Sequence, residues 1–263
     1  MKIVRGLFIP FIIITIWCVG SALHIFNDYI IPSPLSVGSA AYTLIKSGVL
    51  FKHLTVSFYR VFIGFIITFA VAFPFAILVG MNEKARPYLE PILEFNRHIP
   101  PIALIPILIL WFGIGELSKI SVIFLASFFP IFSSTLNGIT NYDKKLLEVG
   151  EVFQFSSKDK FFKIILPQAV PSILTGVQLG LGYSWRALMG AELIAASSGI
   201  GYMIMDAEQL SRPDIIIVGI FSIGILGYVI DYIFLKLTNK FMCFHGEEVK
   251  YGRTYNKESM QEF

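Results

Sequence analysis

Charge is what this chain lacks most. Only 15% of its 263 residues are Asp, Glu, Lys or Arg, against 55% hydrophobic residues and a mean hydropathy of +0.72. That scarcity excludes an ordinary water-soluble domain and places the chain among polytopic membrane proteins, whose apolar surface faces membrane lipid. The net charge of +3 is too small for a nucleic-acid footprint, so nucleic acid drops out as a partner. Cysteine is nearly absent: Cys18 lies in the first apolar run and Cys243 in the polar tail, which implies no disulfide framework. His24, His53, His98 and His245 are scattered without metal-ligand spacing, and no Ser/His/Asp set sits in a coherent context. Neither a metal site nor a catalytic residue is expected. No GxxxxGK[ST] phosphate loop occurs, so the chain itself is not an ATPase of the usual kind.

What the chain has instead is long apolar runs. A spanning helix needs roughly 20 apolar residues to cross a ~30 Å hydrocarbon core. Six segments meet or nearly meet this: 7–26, 58–81, 100–114, 120–139, 171–194 and 215–235. The third is short, and Pro91 to His98 could add an interfacial turn at its start. The expected fold class is all-α, a membrane protein of about six transmembrane helices. Ala72, Ala76 and Gly80, and likewise Gly176 and Gly180, form small-xxx-small patterns that let helix backbones approach in lipid. Pro74, Pro100, Pro101 and Pro106 remove backbone donors and should kink or unwind their helices.

The basic residues set the direction of threading. Lys2 and Arg5, Lys84 and Arg86, the lysines at 144, 145, 158, 160 and 163, and Lys240, Lys250, Arg253 and Lys257 fall in alternate connections. The positive-inside rule makes that set cytoplasmic, with both termini inside. The external NDYIIPSPLSV segment carries two prolines that should lay the chain along the outer surface rather than continue a helix. Lys2 and Arg5 ahead of an apolar run ending Gly20-Ser21-Ala22 could also mark a cleavable signal peptide, but the bulky Trp17 and the run's length favour a retained anchor.

Between the fourth and fifth runs lies EVGEVFQFSSKDKFFKIILP, from Glu148 to Pro167, polar and helix-forming. Leu146, Val149 and Phe153 recur at i, i+3 and i+7 on one helical face. Ser156 followed by Asp159 resembles a capping box that opens a second helix with apolar Phe161, Phe162 and Ile165. A helix-turn-helix follows on the cytoplasmic face, suited either to docking in a partner's groove or to lying on headgroups.

The skeleton of that loop resembles the cytoplasmic coupling loop of ABC-importer permeases. Glu148 matches the leading glutamate, Val149 and Gly150 the two alanine positions, Gln154 the usual turn glycine, and Ile164, Leu166 and Pro167 the close. Gln154 departs from the pattern and implies either ordinary turn dihedrals or a local strain cost. The stretches IPSPLSV, FKHLTVSFYRVFIGF, RHIPPIALIPILILWFGIGE and AELIAASSGIGY resemble the permease branch that imports nitrate, sulfonates, taurine and bicarbonate. The resemblance implies the partners: two ABC ATP-binding subunits that hold the ATP, a second permease copy (a homodimer) and an extracytoplasmic substrate-binding protein. It also implies residence in a bacterial inner or plasma membrane. Riboflavin and thiamine-precursor permeases share much of the pattern, and an ion-coupled secondary carrier is the alternative of a different class.

In the fifth run, Gln178, Gly182, Trp185, Met189 and Glu192 fall within about 40° of one direction at 100° per residue, a polar-aromatic stripe that should avoid lipid. Arg186 lies beside it, in the outer half of the bilayer. Charged intramembrane residues are costly, which makes Arg186 and Glu192, with Gln178, Trp185 and Met189, the translocation-pathway candidates; snorkelling of Arg186 and a solvated Glu192 are the alternatives. Six residues apart on one helix, Arg186 and Glu192 cannot pair, so each needs another partner. Asp231 is expected at the interface. The SSGIGY connection from Ser198 could belong to an outer gate or be a flexible turn. The expected organisation is an anchor and external segment (1–57), a permease core (58–240) containing the coupling loop (141–167), and a cytoplasmic tail (241–263).

Overall fold

The computed structural model describes residues 2–82, 84 and 86–242; most of the expected cytoplasmic tail, with Cys243, lies outside the described residues. The described part is built from helices alone. In chain order these are α1 (Lys2–Ala22), α2 (Pro34–Lys46), α3 (Val49–Gly80), α4 (Arg86–Arg97), α5 (Ile105–Phe112), α6 (Glu116–Thr140), α7 (Lys144–Val152), α8 (Ser157–Lys160), α9 (Leu166–Ala195), α10 (Ile200–Gln209) and α11 (Pro213–Met242).

Helices α3, α6 and α9 form the centre, α6 packing most extensively against α9 and then against α3. Small residues make this possible. Ala72 and Ala76 are fully buried, and a Cβ on Gly80 would stand 3.0 Å from Ile139. On the other side of α6, a Cβ on Gly176 would meet the Pro130 carbonyl at 3.1 Å and one on Gly180 would meet Ile131 at 2.8 Å. The backbones are in contact as the small-xxx-small pattern requires, and dispersion between them replaces the hydrophobic drive that lipid cannot supply.

Among the described residues, four helices or helical stretches are long and apolar enough to cross a membrane: Val49–Gly80, Glu116–Thr140, Ser157–Gln209 and Pro213–Thr238. The third expected span is not one helix. A 3-10 turn (Pro101–Leu104) separates α4 from the short α5, and the two axes are bent by 82°. The prolines explain it: Pro101 and Pro106 stand at the first helical positions of the turn and of α5, where a missing N–H costs nothing. Pro74, by contrast, sits inside a continuous α3. Helix α4 lays Leu89 and Leu93 against the α3–α6 cluster and leaves Tyr88, Ile92 and Phe95 exposed.

Two further differences lie in the first third of the chain. The prolines of IPSP do not exclude a helix; Pro34 opens α2, with the Ser33 hydroxyl accepting from the Ser36 amide as the N-cap. The second span begins at Val49 rather than Phe58, so His53, Ser57 and Arg60 are on one helix and face the bundle, while Phe58 and Tyr59 point away.

Candidate functional site

At the loop end of α6 and α9, the chain makes the expected helix-turn-helix. Asp143 caps α7 through the Lys145 amide, and Ser156 caps α8 through the Asp159 amide. The turn between them holds Gln154 at φ +55°, the left-handed region, so of the two outcomes open for a residue in the glycine position the strained one occurs. Gly150 is buried, and a Cβ there would stand 2.7 Å from Ile164 Cδ1. Gly150 therefore closes α7 onto the second helix; a larger residue there would disrupt the pair internally, not clash with a docked partner. Ile165 is buried and Leu166 packs beside it, while Pro167 stands in the first turn of α9. Residues Phe161–Ile165 form a π-helical turn that joins α8 to α9 without a break, so one helical path runs from Ser157 to Ala195. Gln168 Oε1 accepts from the Asp143 amide at 2.8 Å and ties α9 to the start of α7.

The face this leaves outward is apolar: Leu146 is 47% exposed, Val149 49% and Phe153 70%. Glu148 is exposed, and its carboxylate has no hydrogen bond or ion pair among the described residues. Lys160 pairs with Glu151 at 3.0 Å and Lys163 with Asp159 at 2.6 Å, both inside the loop. The arrangement is a stiff knob with an unpaired carboxylate and an apolar patch, suited to insertion in a protein groove.

At the opposite end of α9 lies a second site that sequence reasoning half found. Glu192 is 1% exposed rather than solvated. Its carboxylate accepts from the Arg60 guanidinium at 2.8 Å, from the Ser57 hydroxyl at 2.8 and 2.9 Å, and from the Gly201 amide at 3.0 Å. Arg60, 3% exposed, also donates to both Glu116 oxygens at 2.6 and 2.7 Å and to the Ser198 carbonyl at 2.6 Å. Lys119 reaches the Gly115 carbonyl and Glu116. His53 Nδ1 accepts from the Gly199 amide and Ser57 Oγ from the Ile200 amide. Four charges balance here, and every one is hydrogen-bonded, the condition under which buried ions are tolerated. Gly199 is required: at φ +114°, a Cβ would overlap the Glu192 carboxylate. The Ser198–Tyr202 connection is thus pinned to α3 and α9 rather than a flexible turn.

Arg60, Ser57 and Glu116 were absent from the sequence-based candidates, and Ser198 entered only as the start of the SSGIGY connection. The available signal was Arg60, a cation inside the second apolar run, 58–81. The stripe itself avoids lipid by packing inside the subunit: Trp185 and Met189 join the buried cluster with Leu188, while Gln178 and Gly182 are half-buried. Arg186 is exposed and leans over the Tyr183 ring at 5.9 Å, with no ion pair among the described residues. Asp231 shares a cleft with Arg186 and Trp185.

These features define a multi-pass helical membrane protein with an exposed apolar knob at one end of α9 and a locked charge network at the other. Residues 72–241 match the profile of the binding-protein-dependent transport system inner membrane component family. The chain belongs to that family; it is a transport permease subunit and not an enzyme. Among its relatives, one bearing the name aliphatic sulfonates transport permease protein SsuC, of Bacillus subtilis, is 40% identical over 90% of this chain and 86% of its own. The taurine transport system permease protein TauC of Escherichia coli is 32% identical over 90% and 88%. The nitrate import permease protein NrtB of Synechocystis is 31% identical over 88% and 86%. A chain of the MetNI methionine ABC transporter, solved in an inward-facing form, superimposes with a TM-score of 0.57 at 16% identity, covering 70% of this chain and 94% of that one. That likeness concerns the fold alone. Membership of the family brings ATP-binding subunits and a substrate-binding protein as partners, and sets aside the ion-coupled carrier.

Proposed function

We propose that this permease imports a small oxyanion-bearing solute, a sulfonate, taurine, nitrate or a similar anion, as one half of a homodimer driven by two ABC ATP-binding subunits. The names of its relatives support that substrate class over the riboflavin and thiamine-precursor alternative. An extracytoplasmic binding protein delivers the solute to the outer face, and the basic loops put both termini and the α7–α8 knob in the cytoplasm.

The observation that carries the mechanism is the unbroken helical path from Ser157 to Ala195. When the ATP-binding subunits close, a groove that holds Leu146, Val149, Phe153 and Glu148 displaces the knob. Because Gly150 and Ile164 lock α7 to the second helix, the displacement enters α9 as a rigid-body movement. Gln178, Trp185, Arg186, Met189 and Glu192 all ride on α9, so access to the pathway changes with the knob's position. Val149→Arg tests this, because Val149 is half-exposed and its replacement leaves the internal packing intact. The variant should insert normally but lose ATPase co-purification and uptake; unchanged association and uptake would remove the knob from the coupling role.

A further inference from the structure

A cleft of about 250 Å³ opens between α9 and α11, lined in part by Gly182, Trp185, Arg186, Gly224, Gly227 and Asp231. Glycine makes the space: a Cβ on Gly182 or Gly224 would meet nothing within 4 Å. Trp185 is 6% exposed, yet its indole N–H has no hydrogen-bond partner among the described residues. It lies 3.7 Å from where a Gly227 Cβ would stand, so the unpaired donor is turned toward the α11 wall of the cleft. Arg186 and Asp231 each line the cleft, and neither forms an ion pair among the described residues.

A buried unpaired donor and two charges without ion pairs in one membrane-embedded cleft are costly together unless a ligand completes them. Their order along the cleft is set by the packing. Trp185 lies level with Gly227, Asp231 is one turn of α11 further inward, ~6 Å at 1.5 Å per residue, and Arg186 is one residue outward of Trp185 on α9. Donors therefore stand at the outer end and an acceptor at the inner end. Both charges lie well inside their helices: Arg186 is nine residues, ~13 Å, from the end of α9, and Asp231 is eleven residues, ~16 Å, from the end of α11. The volume equals roughly eight waters at ~30 Å³ each, enough for a short solute.

Resting on the importer reading, we infer that this cleft is a substrate subsite for a small zwitterion, in which Arg186 and the Trp185 N–H hold an oxyanion and Asp231 holds an ammonium. Guanidinium takes sulfonate through paired donors, and the Asp231 carboxylate separates an amino-sulfonate from a plain one.

The test uses the permease purified with its ATP-binding subunits in nanodiscs, with Trp17 and Trp111 replaced by Phe so that Trp185 is the permease's one indole, and with a matched Trp185→Phe complex whose emission, from the other proteins in the sample, is subtracted. 2-Aminoethanesulfonate should shift the Trp185 emission saturably, and ethanesulfonate should need at least ten-fold higher concentration. Asp231→Asn should erase that preference, Arg186→Gln should abolish both responses, and Gly224→Leu should fill the cleft and silence it without touching either charge. An absent response, equal affinities in the wild type, or a preference that survives Asp231→Asn overturns the subsite. So does emission that follows the phosphatidylethanolamine content of the nanodisc and ignores solute. Co-purification of the ATPase is scored separately, so a failed subsite is distinguishable from a failed importer assignment.

Discussion

Removing Glu192 should release the outer end of α9 from the bundle, and the geometry sets how far. Glu192→Leu deprives Arg60, Ser57 and the Gly201 amide of their shared acceptor inside a site from which water is excluded. Breaking a buried pair by deleting one partner costs about 3–5 kcal/mol. Arg60 keeps two bonds to Glu116 and one to the Ser198 carbonyl, which places the cost near the lower end. About 3 kcal/mol corresponds to roughly 150-fold, at 1.36 kcal/mol per factor of ten. The readout is hydrogen exchange at the Ile200 and Gly201 amides, both bonded into the cluster in the wild type. Exchange there should accelerate by about two orders of magnitude, while amides in the α6–α9 contact near Gly176 stay protected. Arg60→Met should cost a similar amount by stranding Glu192. The double variant should cost well under the sum of the two, because Glu116 is left with a half-exposed carboxylate that water can solvate. Additivity within about 0.5 kcal/mol would show that Arg60 and Glu192 are not coupled and would refute the reasoning.

Gln154→Gly should stabilise the α7–α8 turn by up to about 1 kcal/mol, since φ +55° is strained for glutamine and free for glycine; slower exchange at the Phe155 amide checks it, and faster exchange contradicts it. Gly176→Ala should lower the thermal midpoint of the detergent-solubilised protein by the equivalent of about 1–3 kcal/mol, because its Cβ meets the Pro130 carbonyl and Ser134. An unchanged midpoint would mean that α6 and α9 are not in backbone contact. Cysteines placed at Lys160 and Ser198 should label from opposite sides of the membrane, Lys160 from the cytoplasm. Labelling from one side breaks the threading.

What could be read directly from the sequence was local. The Ser156 cap, the Leu146–Val149–Phe153 face and the small residues at 72, 76, 176 and 180 depend on neighbours within a few positions, and all are found as expected. The 100° periodicity also identified which face of α9 avoids lipid. It could not say what that face meets, because Glu192 is completed by Arg60, 132 residues away, and by a helix start nine residues on. Helix continuity was hidden for a related reason. Proline forbids a helix interior but favours a helix start, so IPSP and IPPIALIP each allow a break or a beginning, and only packing decides between them.

The central claim is that the α7–α8 knob is where the ATP-binding subunits take hold. A photo-crosslinking residue at Phe153, which is 70% exposed, reports on this in intact membranes. A covalent adduct with an ATP-binding subunit, lost in Val149→Arg and altered in yield by ATP, is the result expected. Adducts with lipid alone, or a yield indifferent to Val149→Arg, would contradict it.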